Sequence, residues 1–145
     1  MSVSLLDVNV LIALLDPAHP NHDDAHAWYG VERKRGWATC PITIAGCIRV
    51  LSNPAYPSFQ ATAGDVIRHL RAFCTGDDHE FWRDGVSLLD DKLFRPEYIT
   101  GHQKVTDVLL VGLAVRHKGK LATFDRAIPL KTVIGAKQEH LQLLG

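Results

Sequence analysis

Residues 3–15 read VSLLDVNVLIALL, a short apolar run that ends in an acid and then continues into a second apolar segment. Residues 3–6 predict a buried β-strand, and Asp7 closes it. Residues 9–15 predict a short helix, which ends before Pro17. A strand that leads directly into a helix is typical of a parallel sheet, in which ligands bind beyond the carboxyl ends of the strands.

The same pattern returns near the end of the chain. Residues 120–125 read KLATFD, which predicts a strand up to Thr123 and places a second acid, Asp125, just beyond it. A third acid, Asp107, opens a long apolar helix. Carboxylates at strand ends and at a helix start can meet at one edge of a parallel sheet, where they repel one another unless a divalent cation binds. The pattern therefore predicts a magnesium-dependent enzyme of phosphate chemistry.

Strands alternate with helices along the rest of the sequence. This alternation predicts a three-layer α/β/α domain with a mainly parallel central sheet, and residues 1–145 are expected to form one domain. The further predicted elements are helices over 21–35, 43–51, 65–74 and 107–117, strands over 37–40 and 139–143, and an irregular stretch over 81–89 with room for a short strand.

The totals exclude several classes of protein. The formal net charge is zero, so the chain lacks the overall basic footprint of many nucleic-acid binders, although residues 33–35 and 116–120 form short basic runs. The three cysteines lack CxxC spacing and predict reduced core thiols rather than disulfides or a zinc site. No leader pattern and no apolar stretch near 18 residues is present, which predicts a cytoplasmic protein without membrane contact.

Each acid also has an ordinary structural interpretation. Asp7 can cap the following helix, and Asp125 can pair with Arg126 at the surface. Asp107 lies in the first turn of its helix, where the helix dipole stabilises an acid. Asn9 can likewise be a helix cap. The three acids carry more weight together than singly, because one fold explains all of them.

Residues 22–26, HDDAH, allow a different metal chemistry. Two histidines four positions apart share one helix face, as in zinc proteases that carry the sequence H-E-x-x-H. Zinc hydrolysis is disfavoured because Asp23 is shorter than the usual Glu and no third ligand is evident. An exposed amphipathic helix start is the simpler interpretation.

Several motifs resemble one known family. Residues 5–14, LLDVNVLIAL, resemble the opening of a PIN domain, and residues 98–110, YITGHQKVTDVLL, resemble the segment that carries its later helix acid. Residues 119–126, GKLATFDR, resemble its closing acidic motif. Residues 40–43, CPIT, and 46–54, GCIRVLSNP, resemble the middle of the VapC toxin branch. The similarity covers almost the whole chain in the right order.

The resemblance implies an endoribonuclease, the toxin of a type II toxin–antitoxin pair, which dimerises and is silenced by a VapB-type antitoxin. It implies an acidic pocket of Asp7, Asp107 and Asp125 that binds Mg²⁺ or Mn²⁺ and hydrolyses RNA phosphodiester bonds. Asp7 and Asp107 are expected to hold the principal ion, with Asp125 completing the charge. Three polar side chains are expected to position water or substrate: Asn9, Thr43 and Thr123.

One departure from the family pattern leaves alternatives open. The family usually has a Glu at the start of the helix after Thr43, but residues 44–46 read IAG. The number of bound metals is therefore open, and so is a catalytically silent module that binds RNA or antitoxin without cutting. Asp90 or Asp91 could replace the missing Glu, but the simpler interpretation is that these two residues belong to a loop turn. A DNA nuclease with the same pocket is a further rival.

Overall fold

A parallel sheet lies at the centre of the protein. The computed structural model describes residues 2–83 and 85–145. The five strands within them are β1 (Ser4–Leu6), β2 (Trp37–Thr39), β3 (His79–Phe81), β4 (Lys120–Thr123) and β5 (Leu141–Leu143). They pair in the order β3–β2–β1–β4–β5, all in parallel, and the two central strands, β1 and β4, meet in the register Leu6 to Ala122.

Helices cover both faces of this sheet, so the predicted three-layer α/β/α architecture is confirmed. Four helices contribute to the apolar cluster on one face, and α5 contributes to the cluster on the other. The helices are α1 (Val8–Leu15), α2 (His22–Glu32), α3 (Pro41–Leu51), α4 (Ala63–Phe73) and α5 (Val105–Arg116). Among the helices described, none is both long enough and apolar enough to cross a membrane.

The two apolar clusters follow from the alternation of side chains along the strands. Leu5 and Leu6 are both fully buried, yet they belong to different clusters because successive strand residues point to opposite faces. Each cluster also holds one buried thiol, Cys47 on the side of α1–α4 and Cys40 on the side of α5. Burial raises the pKa of Cys47 to about 12, so this thiol stays protonated.

Most predicted elements are present, with shifted ends. Helix α2 ends at Glu32 and continues as a 3₁₀ turn over Arg33–Arg35, and Asn21 makes no side-chain cap bond. Helix α3 begins at Pro41, because proline is tolerated in the first turn, where no intrahelical partner is needed. Strand β3 lies at His79–Phe81, so it overlaps the predicted irregular stretch 81–89 only at Phe81. Asp84 in that stretch lies outside the described residues.

The last helix also begins and ends differently from its prediction. Helix α5 starts at Val105, two residues before its predicted start, and the residue at its cap position is Lys104. After the helix, Lys118 rather than Gly119 adopts the left-handed conformation (φ 56°) that usually favours glycine. Gly119 is needed for another reason: a Cβ there would lie 2.5 Å from the carbonyl oxygen of Val3. The close approach of this turn to β1 brings β4 into the sheet.

We predict that Gly112→Ala destabilises the protein, although alanine favours a helix by about 1 kcal/mol. A Cβ at Gly112 in α5 would lie 2.5 Å from the ring of Phe94, which is 2% exposed and has little room to move. Overpacking should lower the free energy of unfolding by about 1–2 kcal/mol net, measured by urea denaturation.

Gly30→Ala in α2 is the matched control, because nothing lies within 4 Å of a Cβ there. This variant should be more stable than the wild type by about 0.5–1 kcal/mol. Equal stabilisation by both substitutions would show that the Phe94 ring relocates without cost.

Candidate active site

The candidate site lies where the two central strands end. Asp7 follows β1 directly, and its backbone N–H donates to the carbonyl of Ala122 in β4 (2.9 Å). The hydroxyl of Thr123, at the end of β4, donates to Oδ2 of Asp7 (2.7 Å). Both side chains are buried, so this hydrogen bond forms away from solvent. The end of β4 therefore fixes the first acid of the cluster.

Asp7 is also the N-cap of α1. Its Oδ1 accepts a hydrogen bond from the backbone N–H of Val8 (2.7 Å), as the structural interpretation of this acid required. Burial raises the pKa of Asp7, the hydrogen bonds from Thr123 and Val8 oppose that rise, and the charge of Asp125 adds to it. The carboxylate of Asp7 can therefore cap α1 and belong to the acidic cluster at the same time.

Asp125 sits in a tight turn just beyond β4. Its N–H donates to Oγ1 of Thr123 (3.0 Å), and its Oδ1 accepts from the N–H of Ala127 (2.9 Å). The pKa of Asp125 is lowered, first by this bond from Ala127 and further by its partners Lys104 and Asp107. The guanidinium of Arg126, considered as an ion-pair partner from sequence, instead donates to the carbonyl of Gly145 (3.3 Å).

Asp107 completes the group from the first turn of α5. Its carboxyl group can hydrogen-bond to that of Asp125 when one of the two is protonated. Its pKa is raised to about 7, first by burial, then by the hydrogen bond with Asp125 and by the charges of Asp7 and Asp125. Near neutral pH the pair formed by Asp107 and Asp125 therefore holds one proton between two carboxyl groups for much of the time.

Asn9 lies beside this group. Its amide nitrogen is 3.5 Å from Oγ1 of Thr123, at the limit of a hydrogen bond. Its carbonyl oxygen Oδ1 is buried and, within the described part of the chain, has no hydrogen-bond partner. Buried polar atoms normally find a partner, so this one marks a place where a water molecule or a ligand can bind.

Thr43 caps the start of helix α3. Its hydroxyl accepts from the N–H of Cys40 (3.0 Å) and donates to the carbonyl of the same residue (3.1 Å), so it caps the start of α3. Its use in positioning water or substrate stays a prediction, and its recorded hydrogen bonds do not support it. Ile44, in the stretch 44–46 where an acid was expected, lines an apolar surface cavity with Ile48 and Ile67.

Two other groups considered from sequence serve the local structure. Asp90 accepts a hydrogen bond from the N–H of Lys92 (2.9 Å), as expected for a loop turn. His22 donates from Nδ1 to the carbonyl of Ala13 (2.7 Å), and His26 donates from Nε2 to that of Leu14 (3.1 Å). Because a carbonyl only accepts, these ring nitrogens carry protons, and the pair caps the last carbonyls of α1.

Lys104 is the residue that sequence reasoning missed. Its Nζ lies 3.1 Å and 3.4 Å from the two carboxylate oxygens of Asp125, and its side chain is only 21% exposed. Its position could have revealed it in the sequence. Lys104 lies three residues before Asp107, at the start of a helix, where the helix dipole disfavours a cation. Such a residue needs a nearby anion.

The donors in this pocket suit a hard divalent cation. Carboxylate, amide and hydroxyl oxygens are the ligands that Mg²⁺ prefers. Across residues 2–83 and 85–145, no three His, Cys, Asp or Glu side chains form a ready-made metal cage. Asp125 is instead held by the ammonium of Lys104, and the raised pKa of Asp107 means that a cation would compete with a proton for its carboxylate.

Comparisons with known proteins show the family to which the chain belongs. The chain is 45% identical over 141 residues to Ribonuclease VapC44 of Mycobacterium tuberculosis (strain ATCC 25618 / H37Rv), covering 97% of this chain and 99% of that protein. It is 41% identical over 125 residues to Ribonuclease VapC39 of the same organism, covering 86% and 90%. Residues 4–132 match the model of the PIN domain, a range that contains Asp7, Asp107 and Asp125. The chain therefore belongs to the PIN-domain family.

Proposed function

We propose that this chain is a metal-dependent endoribonuclease, the toxin component of a type II VapBC-type toxin–antitoxin pair. Its relatives VapC44 and VapC39 carry the name ribonuclease. The observation that carries the proposal is the group of three acids joined through Thr123 and through the pair Asp107 and Asp125, in which mutual repulsion and burial raise the pKa of Asp107 to about 7. Such a group favours a divalent cation as its partner.

In this proposal Asp7 and Asp107 hold Mg²⁺ or Mn²⁺, and Asp125 completes the charge of the pocket. A bound divalent cation supplies a lowered pKa for water and stabilisation of the negative charge that develops on phosphate. Thr123 fixes the orientation of Asp7 through its hydroxyl, and the carbonyl oxygen Oδ1 of Asn9 would accept a hydrogen bond from a water molecule or the substrate. Asp107, whose pKa is raised to about 7, would have to release its proton in order to hold the cation.

The partners in this proposal are RNA, a VapB-type antitoxin and a second copy of the chain, in the cytoplasm. The side chains of Ile67 and Phe81 are 40% and 45% exposed and lie at one apolar surface cavity. Apolar surface of this kind is available for contact with another protein. The three cysteines are free thiols, as suits a reducing compartment.

A second candidate is a silent module that keeps the fold and binds RNA or antitoxin without cutting. The absence of an acid from residues 44–46 favours this candidate, and Ile44 within that stretch lines an apolar cavity. The arrangement of Asp7, Asp107 and Asp125 favours the enzyme, since a binding module gains nothing from the cost of burying carboxylates together.

We predict that Asp7→Asn reduces RNA cleavage to the level of an EDTA control while sparing the fold. Asparagine has nearly the same shape and keeps one of the two acceptor oxygens, so it can still cap α1 through the N–H of Val8, but it lacks the charge that holds a metal. Cleavage of a labelled RNA pool in Mg²⁺, Mn²⁺ or EDTA is the measurement. Asp91→Asn at an exposed position is the matched control.

Three results would contradict the proposal. Undiminished cleavage by Asp7→Asn would remove this residue from the site. Cleavage confined to DNA oligomers in a parallel digestion would replace RNA as the substrate. Folded wild-type protein that cuts none of the RNAs would favour the silent module.

We also predict that Asp107→Asn stabilises the metal-free protein at pH 8. The folded state raises the pKa of Asp107 from its ordinary 3.8 to about 7, so it binds more protons than the unfolded state between these values. This contribution to stability is complete below pH 3.8 and is lost as the pH rises through about 7. In EDTA, the variant should therefore melt at least about 3 °C above the wild type at pH 8, with a smaller difference at pH 5.

Added Mg²⁺ should reverse this order. A ligand that binds only the folded state raises its melting temperature, so Mg²⁺ should stabilise the wild type at pH 8 and have little effect on Asp107→Asn. An equal response of both proteins to Mg²⁺ would show that Asp107 does not contribute to metal binding.

A further inference from the structure

Lys104 places a second kind of cation inside the acidic group. Its ammonium lies within 3.4 Å of both oxygens of Asp125, and the two side chains are only 21% and 27% exposed. An ion pair at this depth is screened less by water and salt than a surface pair. The contact also spans 21 residues of sequence, so it depends on the fold rather than on a shared helix turn.

The position of this lysine opposes the usual rule for helix ends. Lys104 occupies the cap position of α5, where the helix dipole favours acids such as Asp107 and disfavours cations. It makes no capping bond through its side chain. Its ammonium instead reaches Asp125. Local rules are most often broken at functional sites, where another interaction compensates for the cost.

The charges of the group set how many divalent ions it can hold. When all groups are ionised, Asp7, Asp107, Asp125 and Lys104 together carry a net charge of −2, which one divalent cation neutralises. A second divalent ion would leave the pocket with a net charge of +2, whereas without the ammonium of Lys104 it would leave a net charge of only +1. An additional acid could offset that charge, but residues 44–46 contain none.

We propose that Lys104 is a resident cation of this pocket: its ammonium neutralises Asp125, so that the pocket accepts one divalent ion, held by Asp7 and Asp107. In two-metal nucleases the second ion stabilises charge on the opposite side of the phosphate. Lys104 supplies a fixed positive charge at that acid in its place. The inference deepens the proposed function and rests on it only in assuming that the acidic pocket binds a divalent metal.

Counting bound Mn²⁺ by electron paramagnetic resonance at pH 8 tests this proposal without RNA. We expect one Mn²⁺ per chain at saturation in the wild type and two in Lys104→Gln, because removal of the ammonium leaves the carboxylate of Asp125 free to bind a second ion. Lys104→Ala should give the same count as Lys104→Gln. Lys104→Arg keeps the charge and should bind one ion.

Lys34→Gln is the matched control, since it removes the same charge from an exposed position in the 3₁₀ turn after α2. It should bind one ion. The proposal is overturned if the wild type binds any number other than one, if Lys104→Gln still binds one, or if Lys104→Arg or Lys34→Gln binds two. A purely structural role for Lys104 would change melting temperatures without changing these counts.

This outcome is independent of the cleavage assay. A wild type that cuts RNA and binds two Mn²⁺ would keep the proposed function and remove the inference about Lys104. A wild type that cuts no RNA, with counts of one and two for wild type and Lys104→Gln, would keep the inference and remove the proposed activity.

Discussion

The hydrogen bond from Thr123 to Asp7 connects the ends of the two central strands, and the rest of the acidic group is arranged around it. The Thr123 hydroxyl has one proton, and Asp7 accepts it. The same oxygen therefore acts as acceptor for the N–H of Asp125. One buried hydroxyl thus sets the positions of two acids. Without it, the buried carboxylate of Asp7 would lose a partner, at a cost of about 1–3 kcal/mol.

Repulsion among the acids is the main electrostatic constraint in this region. Without a divalent cation, the protein reduces the repulsion in two ways, with a proton retained by Asp107 and with the ammonium of Lys104 on Asp125. Both carry positive charge that a metal could otherwise supply. The acidic group therefore weakens the folded state on its own, a trade between stability and activity that is common where a site must bind a charged ligand.

Much of this arrangement could be predicted because it follows from backbone topology. In a parallel sheet, the ends of adjacent strands meet, so an acid after β1 and an acid after β4 must be neighbours. The apolar helix that begins near Asp107 packs on one face of the same sheet, which brings the third acid close. Periodicity and the direction of the chain predict that the acids lie at one edge of the sheet, and the structure adds that β1 and β4 are adjacent.

The details that could not be predicted depend on side-chain choices with several near-equal solutions. Arg126 is next to Asp125 in sequence, yet the partner of that acid is Lys104, because a tight turn directs Arg126 towards Gly145. Thr43 looks like a polar residue near the site, but its nearest backbone groups belong to the cap of α3. Local hydrogen bonds of this kind compete with any longer contact, and sequence spacing does not decide between them.

The distribution of the buried thiols has a consequence for studying motion in this protein. Cys40 and Cys47 are fully buried in the apolar clusters on opposite faces of the sheet. A buried, protonated thiol reacts with an alkylating reagent only when its surroundings open. The rates at which these two cysteines are alkylated therefore report the opening of each helical layer separately. Each face of the sheet thus carries one fully buried thiol whose alkylation can be followed.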